Sequence, residues 1–131
     1  MNNLLWILQI LLGIYFFVTG IVHFILPPNL PDVMAWMYDL PGWLHYLSGA
    51  AEILGGLGLI LPGLTRIQTR LTPLAAAGLV VVMIGAMAYH INRGEIQNLF
   101  MNLVLALLLA IVAYGRWRSH PLPERDEATA A

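Results

Sequence analysis

The stretch LSGAAEILGG, Leu47 to Gly56, sets a single carboxylate in an apolar run, and no second charge occurs between Asp39 and Arg66. What Glu52 does depends first on the solvent around it. Hydrophobic residues make up 60% of the 131 and charged residues only 10%, with a mean hydropathy of +0.78. A water-soluble domain needs roughly a quarter of its residues charged to cover its surface. This chain falls well short of that and instead carries long apolar runs, each near the roughly 20 residues that span a hydrocarbon core. It reads as an integral membrane protein.

Working outward from Glu52, the run that contains it extends from about Trp43 to Leu61 and is expected to close at Pro62 and Gly63. Three further runs cover about residues 4–26, 74–91 and 97–114. The first stops at PPNLP, because proline lacks the amide proton and clashes with the preceding turn. The third follows Pro73, which suits a helix's first turn. The expected fold is all-α: a polytopic, antiparallel four-transmembrane-helix bundle over residues 1–118, with short connections between sequence neighbours. The first run has no basic flank and no small-residue cleavage site before PPNLP, so it is expected to be retained.

Arginine sets the expected orientation, since the chain has no lysine. Arg66 and Arg70 lie between the second and third spans, and Arg116, Arg118 and Arg125 follow the fourth; only Arg93 falls on the other side. The positive-inside rule then places the protein in the cytoplasmic membrane with both termini cytoplasmic. The tail, residues 119–131, is polar and proline-bearing and is expected to be disordered. On the outer face, PPNLPDVMAWMYDLPGW (Pro27 to Trp43) reads as a short interfacial segment whose Trp36, Tyr38 and Trp43 suit the headgroup region. A sharper reading makes it a lid closing over a ligand. Zero cysteines exclude thiol chemistry, and a formal charge of −1 gives no footprint for nucleic acid.

The polar residues within the spans fall on faces at about 100° per residue. His45 and Ser48 share a line with Glu52, flanked by Gly49, Gly55 and Gly56, small residues that let a neighbouring helix approach closely. Glu52 is therefore expected to point into the bundle. His23, Thr19, Phe16 and Gln9 form a comparable stripe on the first span; His90, Met87 and Met83 on the third; Asn98, Asn102, Ala106 and Ala110 on the fourth. His23, His45, His90 and Asn98 all lie near the outer ends of their spans, with Glu52 deeper, roughly 13 Å in from the start of its helix at about 1.5 Å per residue. The pattern suggests a polar funnel with a carboxylate at its floor.

TGIVHF, the proline-rich loop, LHYLSGAAEILGGLGLILPGLTR, YHINRGE and NLVLALLLAIVAYGR together resemble the DoxX-like membrane proteins over roughly residues 10–118. The resemblance implies a four-helix membrane bundle. It also implies kinship with a subunit of thiosulfate:quinone or quinol-oxidising complexes, with proteins linked to quinone and oxidative-stress tolerance, and more distantly with membrane chaperones of receptor-channel assembly.

Two readings stand for each polar residue. Glu52 in hydrocarbon is costly, by a few kcal/mol on insertion scales, and is either interhelical glue or a functional group. The histidines are either interfacial side chains or ligand-binding ones, and Asn98 and Asn102 either link helices or line a site. The candidate ligand-binding or proton-relay set is Glu52, His23, His45, Ser48, His90, Asn98 and Asn102. Its histidines and carboxylate lie on separate helices and form no metal motif, so no metal is assigned. A quinone needs hydrogen-bonding groups at its carbonyls and a proton route, which imidazole plus carboxyl in an apolar cleft supplies. The favoured function is a DoxX-like accessory subunit or quinone-binding protein of membrane redox metabolism. The alternatives are a non-enzymatic assembly subunit, or a proton or small-solute conduit through Glu52. With no flavin or nucleotide fingerprint, the chain holds no complete redox centre and needs a redox partner protein or diffusible carrier. Its expected partners are otherwise the lipid bilayer, a small lipophilic ligand and further copies of itself.

Overall fold

The computed structural model of the protein describes residues 1–125, which contain helices and no strand. Helix α1 spans Asn2–Ile25, α2 Gly42–Thr65, α3 Leu71–Arg93 and α4 Ile96–Tyr114, the last extended by a π-helical turn over Gly115–Ser119. A 3-10 segment over Asp32–Asp39 joins α1 to α2. All four helices are long and apolar enough to cross a membrane, so the expected four-helix membrane bundle is the fold found.

Local chemistry explains the ends. Helix α1 stops where Leu26 turns left-handed (φ 36°) before Pro27 and Pro28, its N–H closing on the Val22 carbonyl. Helix α3 ends at Gly94, whose φ of 70° suits a residue without a β-carbon, and whose N–H caps the His90 and Ile91 carbonyls. That sharp turn lets α4 begin two residues later.

Helix α2 departs from the sequence expectation: it runs through Pro62 and Gly63 to Thr65. The reason lies on the neighbouring helices. Proline has no N–H to give the carbonyl four residues back, which is that of Gly58, and Thr72 Oγ1 of α3 donates to that oxygen at 2.9 Å. Gln9 Nε2 of α1 donates to the next carbonyl, Leu59, at 2.8 Å. Inside a membrane, neighbouring helices can re-satisfy backbone groups that proline frees.

Helix α1 packs chiefly on α2, α2 also on α3, and α3 on α4. Two glycine pairs set the antiparallel register of α1 and α2. A β-carbon on Gly56 would lie 2.6 Å from the Gly13 carbonyl oxygen, and one on Gly20 would lie 2.8 Å from that of Gly49. The half of the bundle away from the 3-10 segment is filled by a core that includes Leu12, Phe16, Leu59, Leu79, Leu109 and Val112. Large apolar side chains such as Leu54, Val81, Phe100 and Leu107 face outward over the helices, as contact with lipid tails requires.

At the end opposite the 3-10 segment, Arg116 is 3% exposed. Its Nε donates to Gln9 Oε1, its Nη1 donates to Asn2 Oδ1 (2.6 Å) and to the His120 carbonyl (2.9 Å), and its guanidinium lies 5.4 Å from the Trp6 ring. The buried charge is thus surrounded by acceptors, as a cation out of water must be. Gln9, on the same stripe as His23, serves this end of the bundle instead. The segment expected to be a disordered tail begins with a placed stretch. Leu122 packs against Gly63, its carbonyl accepts from Thr69 Oγ1 at 3.1 Å, and the Arg125 N–H donates to the Arg66 carbonyl. The tail's remainder, 126–131, lies outside the described residues.

Candidate functional site

A cavity of about 620 Å³ opens in the half of the bundle nearest the 3-10 segment. Thr19 and His23 of α1, Ser48 and Glu52 of α2, His90 of α3, and Asn98 and Asn102 of α4 line it. Apolar groups supply most of the remaining wall, among them Met83, Ala86, Met101 and Leu105. The 3-10 segment contributes Val33, Met34, Trp36 and Met37, so it covers the cavity as a lid. Six of the seven candidate residues thus meet in one space. His45 is the exception, and it stands behind His23.

Glu52 is 6% exposed and faces polar neighbours, not lipid. Its Oε1 accepts from Thr19 Oγ1 at 3.4 Å, and its Oε2 lies 3.0 Å from His23 Nε2. That second contact has ion-pair distance but not hydrogen-bond alignment, so Oε2 is left without a hydrogen-bond partner among the described residues. On its other side His23 Nδ1 meets His45 Nδ1 at 3.0 Å, and His45 Nε2 donates to the Met37 carbonyl of the lid at 2.8 Å.

A carbonyl only accepts, so His45 Nε2 donates to Met37, and of the two Nδ1 atoms one donates and the other accepts. These contacts fix the His23 ring with its Nε2 toward Glu52 Oε2. Imidazole and carboxyl thus stand side by side at one point of the cavity wall.

The lid is tied down on both flanks. Trp36 sits between the two cavity histidines, its ring centre 4.9 Å from that of His90 and 6.1 Å from that of His23. Tyr38 Oη donates to the Pro27 carbonyl at 2.6 Å and accepts from the Leu30 N–H at 3.1 Å. Arg93 then clasps the lid to the α3–α4 turn: its Nη2 donates to Asp39 Oδ2 at 2.8 Å and its Nε to Glu95 Oε1 at 2.7 Å. The same Glu95 oxygen accepts from His90 Nδ1 at 3.2 Å, joining the cavity wall to the lid clasp. Partial burial lifts the Glu95 carboxyl's pKa, but the hydrogen bonds from Arg93 and His90 outweigh it and hold the group below its ordinary value. The clasp is therefore at full strength above the ordinary carboxylate range and weakens as pH falls through it.

Trp36 belongs to the cavity wall, whereas the sequence reading gave it to the headgroup region with Tyr38 and Trp43. The aromatic signal was the same for all three, and only tertiary placement separates them. The Arg93–Glu95–His90 cluster lies within YHINRGE, and its partner Asp39 comes from a segment 54 residues away.

The profile of the DoxX-like family matches residues 7–112. The chain belongs to the DoxX-like family. The matched region of this DoxX-like chain takes in the lid, the cavity and every candidate residue, together with all but the first residues of α1 and the last of α4. No curated protein and no solved structure matches the chain. It is an integral membrane protein of DoxX-like type, built from four apolar helices.

Proposed function

We propose that this DoxX-like protein holds a small lipophile of the quinone class in the lid-covered cavity and serves as an accessory protein of membrane redox metabolism. The observation that carries the reading is an apolar cavity of about 620 Å³ with Glu52 and His23, 3.0 Å apart, on its wall. Ligand sites usually measure roughly 300–1,000 Å³, with few polar groups in an apolar lining. A quinone ring would find imidazole and carboxyl there for hydrogen bonding and proton exchange. The residues present do not transfer electrons by themselves, so these come from a partner protein or a diffusible carrier.

Two features weigh against the other readings. Residues serving only as interhelical glue would satisfy one another, whereas Asn98 Oδ1 is buried without a hydrogen-bond partner among the described residues. A conduit needs a polar path across the bilayer, whereas below Glu52 the bundle is closed by Phe16, Leu59, Leu79 and Leu109. The test uses a decyl-substituted benzoquinone added to the purified protein in lipid nanodiscs. Tryptophan fluorescence should be quenched saturably, and Trp36→Phe should remove most of the saturable part, because Trp36 lines the cavity. Quenching that grows without saturation in both proteins sinks the quinone reading.

The orientation is proposed on the five-to-one arginine distribution: the lid faces outward and both termini face the cytoplasm. With no native cysteine to interfere, single cysteines can be introduced in the lid or near Arg118 and treated with an impermeant thiol reagent. In intact cells the lid position should be labelled and the Arg118 position protected. The opposite pattern inverts the topology.

A further inference from the structure

The cavity has two polar poles, and only one of them is the Glu52–His23 pair. The second is Asn98 on α4, 7% exposed, whose Oδ1 is buried without a hydrogen-bond partner among the described residues. Glu52 Oε2 on α2 has the His23 ring 3.0 Å away, whereas Asn98 Oδ1 has no such neighbour among the described residues. Both residues line the one cavity. Buried polar atoms in folded proteins are nearly always paired, so the unpartnered amide on the cavity wall marks a group whose partner comes from outside the chain.

The two poles stand on different walls. Helix α2, which carries Glu52, packs on α1 and α3, whereas α4, which carries Asn98, packs chiefly on α3. Polar groups on separate walls of one cavity call for a polar atom at each side of what fills it, since hydrogen bonds reach only about 3 Å. We propose that the cavity takes a two-ended ligand, an apolar ring with a polar oxygen at each side, and that Asn98 binds the oxygen remote from Glu52. This rests on reading the cavity as a lipophile site and adds the second point of attachment.

Each pole serves both a carbonyl and a hydroxyl. The Glu52–His23 pair does so because an imidazole nitrogen donates or accepts according to its tautomer and a carboxyl oxygen according to its protonation. Asn98 does so by turning its amide, which offers Oδ1 as acceptor or Nδ2 as donor. The oxidised and reduced forms of one ring are then held by the same atoms. The missing partner also separates this role from a structural one: an asparagine that links helices is needed for stability, whereas one that awaits a ligand is not.

The experiment compares two probes on the full chain in nanodiscs: 2-decyl-1,4-benzoquinone, with two ring oxygens, and decyl phenyl ketone, with one. Asn98→Leu and Asn98→Ala are each expected to weaken the benzoquinone about tenfold, as for loss of one buried hydrogen bond. The ketone should be held as in the wild type, and neither variant should melt earlier. Agreement between the larger and smaller replacement shows that the loss is not a steric block. Unchanged benzoquinone affinity in both variants overturns the second pole while leaving the lipophile site standing. A lowered melting temperature in both variants also overturns it, making Asn98 a link between helices. If the wild type holds neither probe, the lipophile reading fails and the second pole falls with it.

Discussion

Glu52→Gln is expected to fold normally and to lose quinone-dependent activity, while Glu52→Leu is expected to destabilise the bundle as well. Glutamine keeps the shape, and its amide can donate to the lone pair of His23 Nε2 or accept from its N–H, so the chain through His45 to the Met37 carbonyl stays satisfied. What it cannot do is gain or lose a proton near neutral pH. Where a positioned acid or base takes part in a reaction, its removal costs on the order of 10²–10⁴-fold in rate. Leucine leaves His23 Nε2 and Thr19 facing an apolar wall, at a cost of about 1–3 kcal/mol for the unsatisfied group. The measurements are melting temperature in detergent and quinone-dependent activity in cells that require the protein, at matched membrane abundance. Full activity with glutamine removes Glu52 from any proton role. A wild-type melting temperature with leucine shows that the His23–Glu52 contact contributes no stability.

Gly56→Leu should abolish the folded bundle. The first atom added would lie 2.6 Å from the Gly13 carbonyl oxygen and 2.8 Å from the Phe17 amide nitrogen, both backbone atoms of α1. A side chain that meets another side chain can be relieved by a new rotamer, but here α1 itself must move. Overpacking usually costs about 1–3 kcal/mol and more where the obstacle is rigid. The shift would also pull His23 away from Glu52, since both contacts depend on the same α1–α2 register. Gly78→Leu is the matched control, because nothing lies within 4 Å of an added β-carbon there. Size-exclusion profiles before and after a thermal ramp should show loss of the monodisperse peak for Gly56→Leu alone. Equal survival of both variants would mean that α1 and α2 do not approach at this glycine.

Several features of the site were legible because they depend on residues near one another along the chain. The spacing of His45, Ser48 and Glu52, flanked by glycines, put the carboxylate on the face where a second helix could approach, and His23 lies 3.0 Å from it. The lid was legible as a segment bounded by prolines and rich in aromatic residues. Its clasp was not, because Asp39 and Arg93 carry no local sign that they meet. Pro62 misled for a related reason: alone it reads as a helix end, and the Thr72 hydroxyl that satisfies the carbonyl it frees comes from another helix. Arg116 read as a flanking positive charge, whereas Gln9 and Asn2 from the far end of the chain enclose it.

The sequence by itself determined that this protein crosses a membrane four times and roughly where. Insertion into a bilayer is governed by hydropathy accumulated over about 20 successive residues, and prolines and glycines punctuate those runs locally. Only the tertiary structure decided which polar atoms pair and which are left open. His23 is matched by Glu52 and His45, His90 by Glu95, and Arg116 by Gln9, while Asn98 Oδ1 finds no hydrogen-bond partner among the described residues. Pairing depends on the rotation and register of helices against one another. Here backbone contact at Gly13–Gly56 and Gly20–Gly49 sets that register, and no single helix contains it.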